Sequence, residues 1–308
     1  IKKIKFSLLS GIRVDGLVLG PSAKPIASVQ TMLLDYDLSQ LIQGHLVINQ
    51  VLIDQPQVIA ISQKGVWNFQ PLLDLGGSKN TPAPSTTGTP ALPLTKIDLQ
   101  QLKIQNIGAT LVMDDQISAI IKGLSLEAKG KAGRDKLDLT LRVLMHPEKD
   151  ANILFKNQKE KLYFESKTTT ELTFSARDLN KLNVSGRFGF NENQVKLGDA
   201  LPSPDLEGSL SAEVQLQPER IHLSAFSLKL DDKNKIAFST KIKNFSTAPA
   251  IETQIEKVSF RLSDILRWGA KWLPPISGNG TLEAENLGIQ AKLPGFKPEN
   301  ISLKGGSL

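Results

Sequence analysis

The chain has 308 residues, of which 40% are hydrophobic, so it can form a sizeable folded core. It has no cysteine, which excludes disulfides, thiolate metal sites and a cysteine nucleophile. The 37 basic and 31 acidic residues leave a net charge of +6, too mild an excess to indicate nucleic-acid binding.

The beginning of the chain is basic, with Lys2, Lys3 and Lys5 beside Ile1 and Ile4. These lysines either line the edge of a strand, where they discourage pairing with other chains, or form a basic patch beside a membrane. No run of 18 apolar residues is present, so we expect no membrane-spanning helix in this sequence. From its abrupt ends we expect a piece of a longer protein, with any anchor or export signal outside it.

Most of the chain alternates apolar and polar residues in short runs, which predicts half-buried strands. Apolar residues also recur in a repeat whose four positions are spaced Φ-x-Φ-x-x-Φ-x-Φ. The strong copies are Ile12, Val14, Leu17 and Leu19; Leu46, Ile48, Val51 and Ile53; Ile97, Leu99, Leu102 and Ile104; and Ile221, Leu223, Phe226 and Leu228. The weaker copies are Ala119, Ile121, Leu124 and Leu126; Thr253, Ile255, Val258 and Phe260; and Leu282, Ala284, Leu287 and Ile289.

The repeat holds one residue more than a regular strand, in which alternate side chains share a face. Either a β-bulge absorbs this extra residue, or the chain turns there, as Asp15–Gly16 and Asn49–Gln50 would allow. Repeated bulges predict a mostly β fold in which a long, twisted and curved antiparallel sheet forms an apolar groove. A second sheet, the same sheet curling over, or a ligand must cover that apolar face.

Three segments have helical patterns: Asp37–Gln43 with Asp37 as N-cap and Gly44 as stop, Val66–Leu75, and Leu262–Leu273 with Ser263 as N-cap. Residues 76–93 are rich in Gly, Pro, Ser and Thr, which predicts a disordered or extended linker. The predicted organisation is therefore an N-terminal β module over 1–75, the linker over 76–93, and a continuation of the groove over 94–308.

The sequence offers no chemistry in a recognisable context. It lacks a nucleophile elbow, a phosphate-binding loop and a calcium loop. The acid pairs Asp114–Asp115 and Asp231–Asp232 follow predicted strands, which favours hairpin turns over catalytic or metal-binding carboxylates. His45, His146 and His222 flank strands and are interpreted as surface or edge residues. We therefore expect no enzyme activity, catalytic residue, metal or cofactor.

The segments 38–44, 46–62 and 65–69 together resemble the N-terminal module of AsmA-like proteins, which are related to TamB and to bridge-like lipid-transfer proteins. In that family a short helix leads to a bulged strand, a proline, a second strand and a G-x-W-N motif. The matching motif residues are Pro56, Gly65, Trp67 and Asn68. The likeness covers residues 10–130 and, loosely, 205–308, whereas 131–204 match no family pattern.

This resemblance implies a periplasmic groove, attached to the inner membrane by an N-terminal helix that we expect to lie outside this sequence. It also implies phospholipid acyl chains as the ligand, transport between inner and outer membranes, and contacts with envelope or outer-membrane proteins. The predicted groove residues are the four strong copies of the repeat together with Ile121, Leu124 and Leu126. Two alternatives stay open: a scaffold for outer-membrane protein assembly that uses exposed strand edges, and a β-sandwich hydrolase or binding module.

Overall fold

A computed structural model describes residues 1, 3–7, 11–21, 25–37, 39–40, 43–70, 95–133, 136–146, 151–178, 180–201, 203–269, 278–292 and 301–304. These residues form 19 β-strands, and α1, Leu262–Gly269, is the one α-helix with bounds inside them. The predicted mostly β class is confirmed. The predicted linker 76–93 lies outside the described residues.

The chain divides into two compact units. The first comprises Ile1–Leu137 and Asn152–Tyr163. Its strands are β1 Lys3–Ser7, β2 Gly11–Leu19, β3 Ala27–Asp37, β4 His45–Asp54, β5 Gln57–Gln63, β6 Val66–Trp67, β7 Lys96–Met113, β8 Ile117–Gly133 and β10 Ile153–Asn157. Strands β1 to β4 pair in antiparallel succession, and β8 pairs antiparallel with both β7 and β10.

Strand β7 makes the first unit a mixed sheet, where the sequence predicted an antiparallel one. It runs parallel to both β4 and β5. His45 lies opposite Lys96 and Gln57 lies opposite Gly108, so the paired residues are the same number of positions apart in both cases. Parallel neighbours need a long crossover, and the chain between β5 and β7 provides it. Strands on both sides of residues 76–93 therefore belong to one unit.

The second unit comprises Asp138–Ala151 and Phe164–Leu308. Its strands are β9 Leu137–Met145, β11 Leu162–Ala176, β12 Lys181–Leu197, β13 Asp199–Leu201, β14 Leu206–Gln215, β15 Arg220–Lys229, β16 Lys235–Lys243, β17 Ala250–Arg261, β18 Thr281–Lys292 and β19 Ile301–Lys304. Strand β9 pairs with β11, and β12 pairs with β13 and β14. From β14 to β19 each strand pairs antiparallel with the next.

The extra residue of the repeat lies in a β-bulge, not in a turn. In β4, Gln50 pairs with Asp35 and Ile48 with Tyr36, so Asn49 is the extra residue against β3. The same shift occurs in β7, β8, β15 and β17. The strands continue through the repeat, which resolves the alternative that the sequence left open.

In some pairs of neighbouring strands, both strands contain an extra residue at matching positions, and the register between them then does not shift. The register between β2 and β3 does not shift, because β3 is itself an unrecognised copy of the repeat. Its apolar residues are Ala27, Val29, Met32 and Leu34, opposite Leu19, Leu17, Val14 and Ile12 respectively. Strands β17 and β18 match in the same way.

Two of the helix predictions need correction. Within the predicted helix Val66–Leu75, Val66 and Trp67 instead form strand β6 opposite β5, after the two-residue turn Lys64–Gly65. Gln70 is helical, and residues 71–75 lie outside the described residues. The helix predicted over Leu262–Leu273 is confirmed from Leu262 to Gly269, and residues 270–273 lie outside the described residues. Because α1 begins at Leu262, Ser263 lies inside its first turn and is not the N-cap. The backbone N–H of Leu262 donates instead to the carbonyl of Gly280, 2.9 Å away.

The predicted turn after β3 is described in part. The Asp37 carboxylate accepts a hydrogen bond from the backbone N–H of Ser39 at 2.8 Å, as a capping residue does. Gly44 follows with a φ of 75°, the left-handed conformation expected of a stop residue. Leu38, Leu41 and Ile42 lie outside the described residues.

Candidate functional site

Apolar side chains form continuous rows across the first unit. Residues directly opposite one another in a sheet point to the same face, so the strand register identifies each row. One row contains Ile4, Val14, Met32, Ile53, Ile104 and Leu126. The next contains Phe6, Ile12, Leu34, Val51, Leu102 and Ala128. These rows and their continuations are called the first apolar face.

The bulges keep the repeat on one face. Leu34 and Tyr36 are two residues apart on β3 and so share a face. Their partners on β4 are Val51 and Ile48, which are three residues apart and would otherwise point in opposite directions. The bulge therefore restores the alternation that the extra residue breaks.

The same reasoning through β5, β7 and β8 extends the face to the far ends of these strands. The row there contains Leu19, Ala27, Val58, Ala109, Ile121 and Ile153. All the predicted positions from Ile12 to Leu126 thus lie on the first apolar face. Sequence reasoning missed the contributions of β3, β5 and β10, although the spacing of the repeat is present in β3.

The first apolar face is open and uncharged. Among the described residues, Met145 and Ala284 of the second unit are the only apolar side chains that count as buried, at 7% and 8% exposure. On the far row, Leu19 is 46% exposed, Val58 49% and Ile121 38%. No residue of the three rows given above carries a charge. Their apolar surface is therefore not sealed by the part of the protein described.

The second unit carries an equivalent second apolar face, which holds the remaining predicted residues, Ile221, Leu223, Phe226 and Leu228. Its rows are Leu182, Val214, Ile221, Ile242, Ile251 and Ala291; Val184, Ala212, Leu223, Thr240, Thr253 and Ile289; Gly186, Leu210, Phe226, Phe238, Ile255 and Leu287; and Phe188, Gly208, Leu228, Ile236, Val258 and Ala284. The two threonine hydroxyls lie 3.0 Å apart and hydrogen-bond each other. They therefore add no unpaired polar group.

Charged side chains lie on the opposite face of each unit. Ion pairs across strands include Lys131 with Asp98 at 3.2 Å in the first unit and Lys257 with Glu285 at 2.5 Å in the second. The hydrogen bond from Lys257 holds the pKa of the Glu285 carboxyl below its usual value. The charged pairs and the first apolar face are thus on opposite sides of the strands, although the opposite side of the first unit also carries apolar residues such as Leu33, Leu52 and Ile59.

The G-x-W-N motif forms a hairpin at one end of the first apolar face. Lys64 and Gly65 form its turn with φ of 52° and 78°, a geometry in which glycine is unstrained. The Asn68 side chain accepts from the N–H of Ile61 at 3.0 Å and donates to the carbonyl of Ile59 at 2.8 Å. The Asn68 side chain therefore bonds to the backbone of β5 in the way that a paired strand would.

The fourth motif residue, Pro56, lies between β4 and β5. Its carbonyl accepts a hydrogen bond from the N–H of Gly108 in β7 at 2.9 Å. The preceding Gln55 has a φ of 49°. This short break allows one continuous strand, β7, to pair with two consecutive strands.

The acidic residues considered as catalytic or metal-binding candidates lie in turns between strands. Asp114 and Asp115 form a hairpin turn with φ of 48° and 56°, as predicted. Asp231 lies in the turn between β15 and β16, where its carboxylate accepts from backbone N–H groups of that turn. The described residues contain no group of three or more His, Asp or Glu side chains arranged to hold a metal ion.

Comparisons of the chain with protein-family models, curated proteins and solved structures gave no match. The resemblance to AsmA-like proteins therefore stays a prediction. In the parts of the chain that the structure describes, no helix is long and apolar enough to cross a membrane.

Proposed function

We propose that this protein binds phospholipid acyl chains along its two apolar faces and conducts lipid between the inner and outer membranes in the periplasm. One observation carries the proposal: uncharged apolar rows cross each unit, and almost none of their side chains is buried. An open apolar surface needs an apolar occupant. The location and the route follow from the family resemblance.

The energetics fit a passive conduit. Exposing one methylene group to water costs about 0.8 kcal/mol, so a sixteen-carbon chain costs roughly 12 kcal/mol. A surface that shields the chain removes most of this barrier, and it requires no catalytic residue. The proposed role therefore agrees with a sequence in which we expect no enzyme activity.

Acyl chains suit these faces better than a protein partner does. Protein interfaces are enriched in aromatic residues and arginine, and they form many hydrogen bonds. The rows of the first apolar face are largely aliphatic and offer few hydrogen-bonding groups. Acyl chains have no hydrogen-bonding groups, so they leave no polar group of their own unpaired on such a surface.

Photo-cross-linking in cells tests the proposal with a matched pair of neighbours. Ile53 lies on the first apolar face, and Leu52 lies between Leu33 and Lys103 on the opposite face. A photoreactive residue at position 53 is expected to yield lipid adducts, and one at position 52 is not. Equal labelling at the two positions, or purified protein without lipid by mass spectrometry, would contradict the proposal.

A second candidate function, scaffolding of membrane-protein assembly, rests on β1. In the described part of the structure β1 pairs with β2 alone, and its Ile4 and Phe6 are 58% and 63% exposed. An open edge of this kind can accept a strand from a partner. Protein adducts at Ser7 without lipid adducts at position 53 would favour this function.

A further inference from the structure

We propose that the stacked rings of Trp67 and Phe69 form the contact for the ester end of a bound phospholipid at one end of the first apolar face. This inference rests on the proposed lipid-binding function and deepens it. It assigns a role to the aromatic residue of the G-x-W-N motif and gives the bound lipid an orientation.

The strand register places Trp67 on the first apolar face. Trp67 lies opposite Ser62, Ser62 is level with Met113 in β7, and Met113 lies opposite Ile117 in β8. Ile117 is two residues from Ala119 and four from Ile121, so it shares their face. The row of Trp67 is therefore the last one at this end of the unit.

The two rings stack on each other and are called the aromatic platform. Their centroids are 5.4 Å apart, with an angle of 21° between the ring planes. Both residues are half-buried, and Ser62 opposite Trp67 is only 3% exposed. The Asn68 side chain fixes the hairpin to β5 between the two aromatic residues.

A second turn supports this hairpin from the neighbouring strands. The N–H of Lys64 donates to the Asp114 carboxylate, and the N–H of Asp114 donates to the carbonyl of Ser62 at 2.9 Å. The β5–β6 and β7–β8 turns are thus joined side by side. The hairpin that carries Trp67 is thus hydrogen-bonded both to β5 and to the β7–β8 turn.

The platform marks the change from apolar to polar surface. On one side of it lies the exposed row that includes Val58 and Ile121. On the other lie the exposed polar turn residues Lys64, Asp114 and Asp115. Tryptophan favours such boundaries, because its ring is apolar and its N–H is a hydrogen-bond donor. Among the described residues the indole N–H has no partner and is not sealed from solvent.

This arrangement fits a phospholipid in one orientation. Its chain lies along the apolar rows, its ester oxygens accept from the indole N–H, and its headgroup reaches the hydrated turns. A bare hydrocarbon satisfies the apolar rows but leaves the N–H unpaired. The platform therefore favours a glycerol ester over a simple alkane.

Fluorescence quenching tests the contact directly. The chain has three tryptophans, so a Trp268→Phe/Trp272→Phe variant leaves Trp67 as the sole tryptophan, whose emission is excited selectively over that of the two tyrosines. The probes are phosphatidylglycerol or phosphatidylcholine molecules brominated either near the ester or near the methyl end of the chain. We expect a loss of Trp67 emission with ester-end bromine and a clearly smaller loss with methyl-end bromine.

The matched control carries its only tryptophan on the opposite face, through Leu52→Trp in a chain whose three native tryptophans are phenylalanine. Its emission should not change with either lipid. Thermal unfolding and native mass spectrometry of each variant establish that it is folded and how much lipid it holds.

The outcomes separate this inference from the proposed function. Bound lipid without quenching of Trp67, or equal quenching from both bromine positions, overturns the inference and leaves lipid binding intact. Absence of bound lipid from every folded variant overturns both. Quenching by a brominated alkane as strong as by the ester-end phospholipid overturns the selectivity for esters.

Discussion

At the scale of single residues, two asparagine side chains join elements of the structure by hydrogen bonds. Asn68 extends the edge of β5, and Asn234 links the β15–β16 turn to helix α1. Asn234 is fully buried, and its side-chain N–H group donates to Asp231 and to Asp264, each at 2.8 Å. Its side-chain oxygen accepts from the N–H of Arg261 at 2.8 Å.

The first prediction concerns Asn234. Replacing it with alanine leaves the Arg261 N–H and two carboxylates without these partners, which costs about 2 kcal/mol of unfolding free energy. For a unit of this size we expect the melting temperature to fall by about 4–8 °C. The control is Asp232→Ala in the same turn, because the Asp232 side chain is 94% exposed. Equal melting temperatures for the two variants would show that the link is unimportant.

The second prediction concerns pH and Asp231. Burial raises the pKa of this carboxyl, but hydrogen bonds from Asn234 and from the backbone N–H of Lys233 outweigh it, so the pKa is lowered on folding. The stabilisation is therefore complete above the ordinary aspartate pKa and is lost as the pH falls through the lower, folded value. In denaturant unfolding, the stability difference between the native chain and Asp231→Asn should shrink on acidification. A difference that stays constant down to the acid range would contradict the assignment.

At the scale of elements, the bulges keep the repeat on one face. Strand β15 shows this most clearly, since its neighbours β14 and β16 run regularly past the extra residue between Leu223 and Phe226. The bulge is therefore a local addition to β15 and is not required by the register of the surrounding sheet.

The third prediction follows from this difference. Deleting Ser224, which has no partner residue on β14, should leave Leu223 and Phe226 in regular alternation, so the apolar residues of β15 stay on their face and the melting temperature changes little. Deleting Ser209 in the adjacent strand β14 should instead turn half of that strand over and unfold the unit. Circular dichroism melting of the two deletions compares them directly. Unfolding of both would show that the β15 bulge is itself essential.

Sequence periodicity predicted most strands because alternation on a half-exposed sheet is a local pattern. It could not predict that β7 runs parallel to β4 and β5, since pairing between distant strands leaves no local signal. It assigned Val66 and Trp67 to a helix, although the glycine turn before them and the pairing with β5 produce a strand. It also missed Asn234, because no motif in the sequence marks the distant Asp264 as its partner.

The candidate site, too, could be predicted from the sequence only in part. The spacing of the repeat identified the side chains that share the first apolar face, from Ile12 to Leu126. It could not decide between a bulge and a turn, because that choice depends on the neighbouring strand. The place of Trp67 at the end of this face follows only from the register of β5, β6 and β7.

At the scale of the whole molecule, the two units share one feature: a face of aligned, uncharged apolar rows, with ion pairs on the opposite face. Conventional domains bury such rows in a core, where a charge cannot be hydrated. Here the described apolar residues are mostly half-exposed. This difference provides a test of whether the faces are cores or ligand surfaces.

The fourth prediction applies that test to Leu99, which lies between Ile48 and Gly130 on the first apolar face. In a sealed core, Leu99→Asp would cost several kcal/mol and unfold the unit. On an open face the carboxylate keeps its water, so the protein should fold with a modest loss of stability. The charge should nevertheless exclude acyl chains, and native mass spectrometry should find less bound lipid.

The control Leu52→Asp places the same charge on the opposite face, where lipid content should be unchanged. Global unfolding of Leu99→Asp alone, or equal lipid content in both folded variants, would show that the first apolar face does not hold lipid.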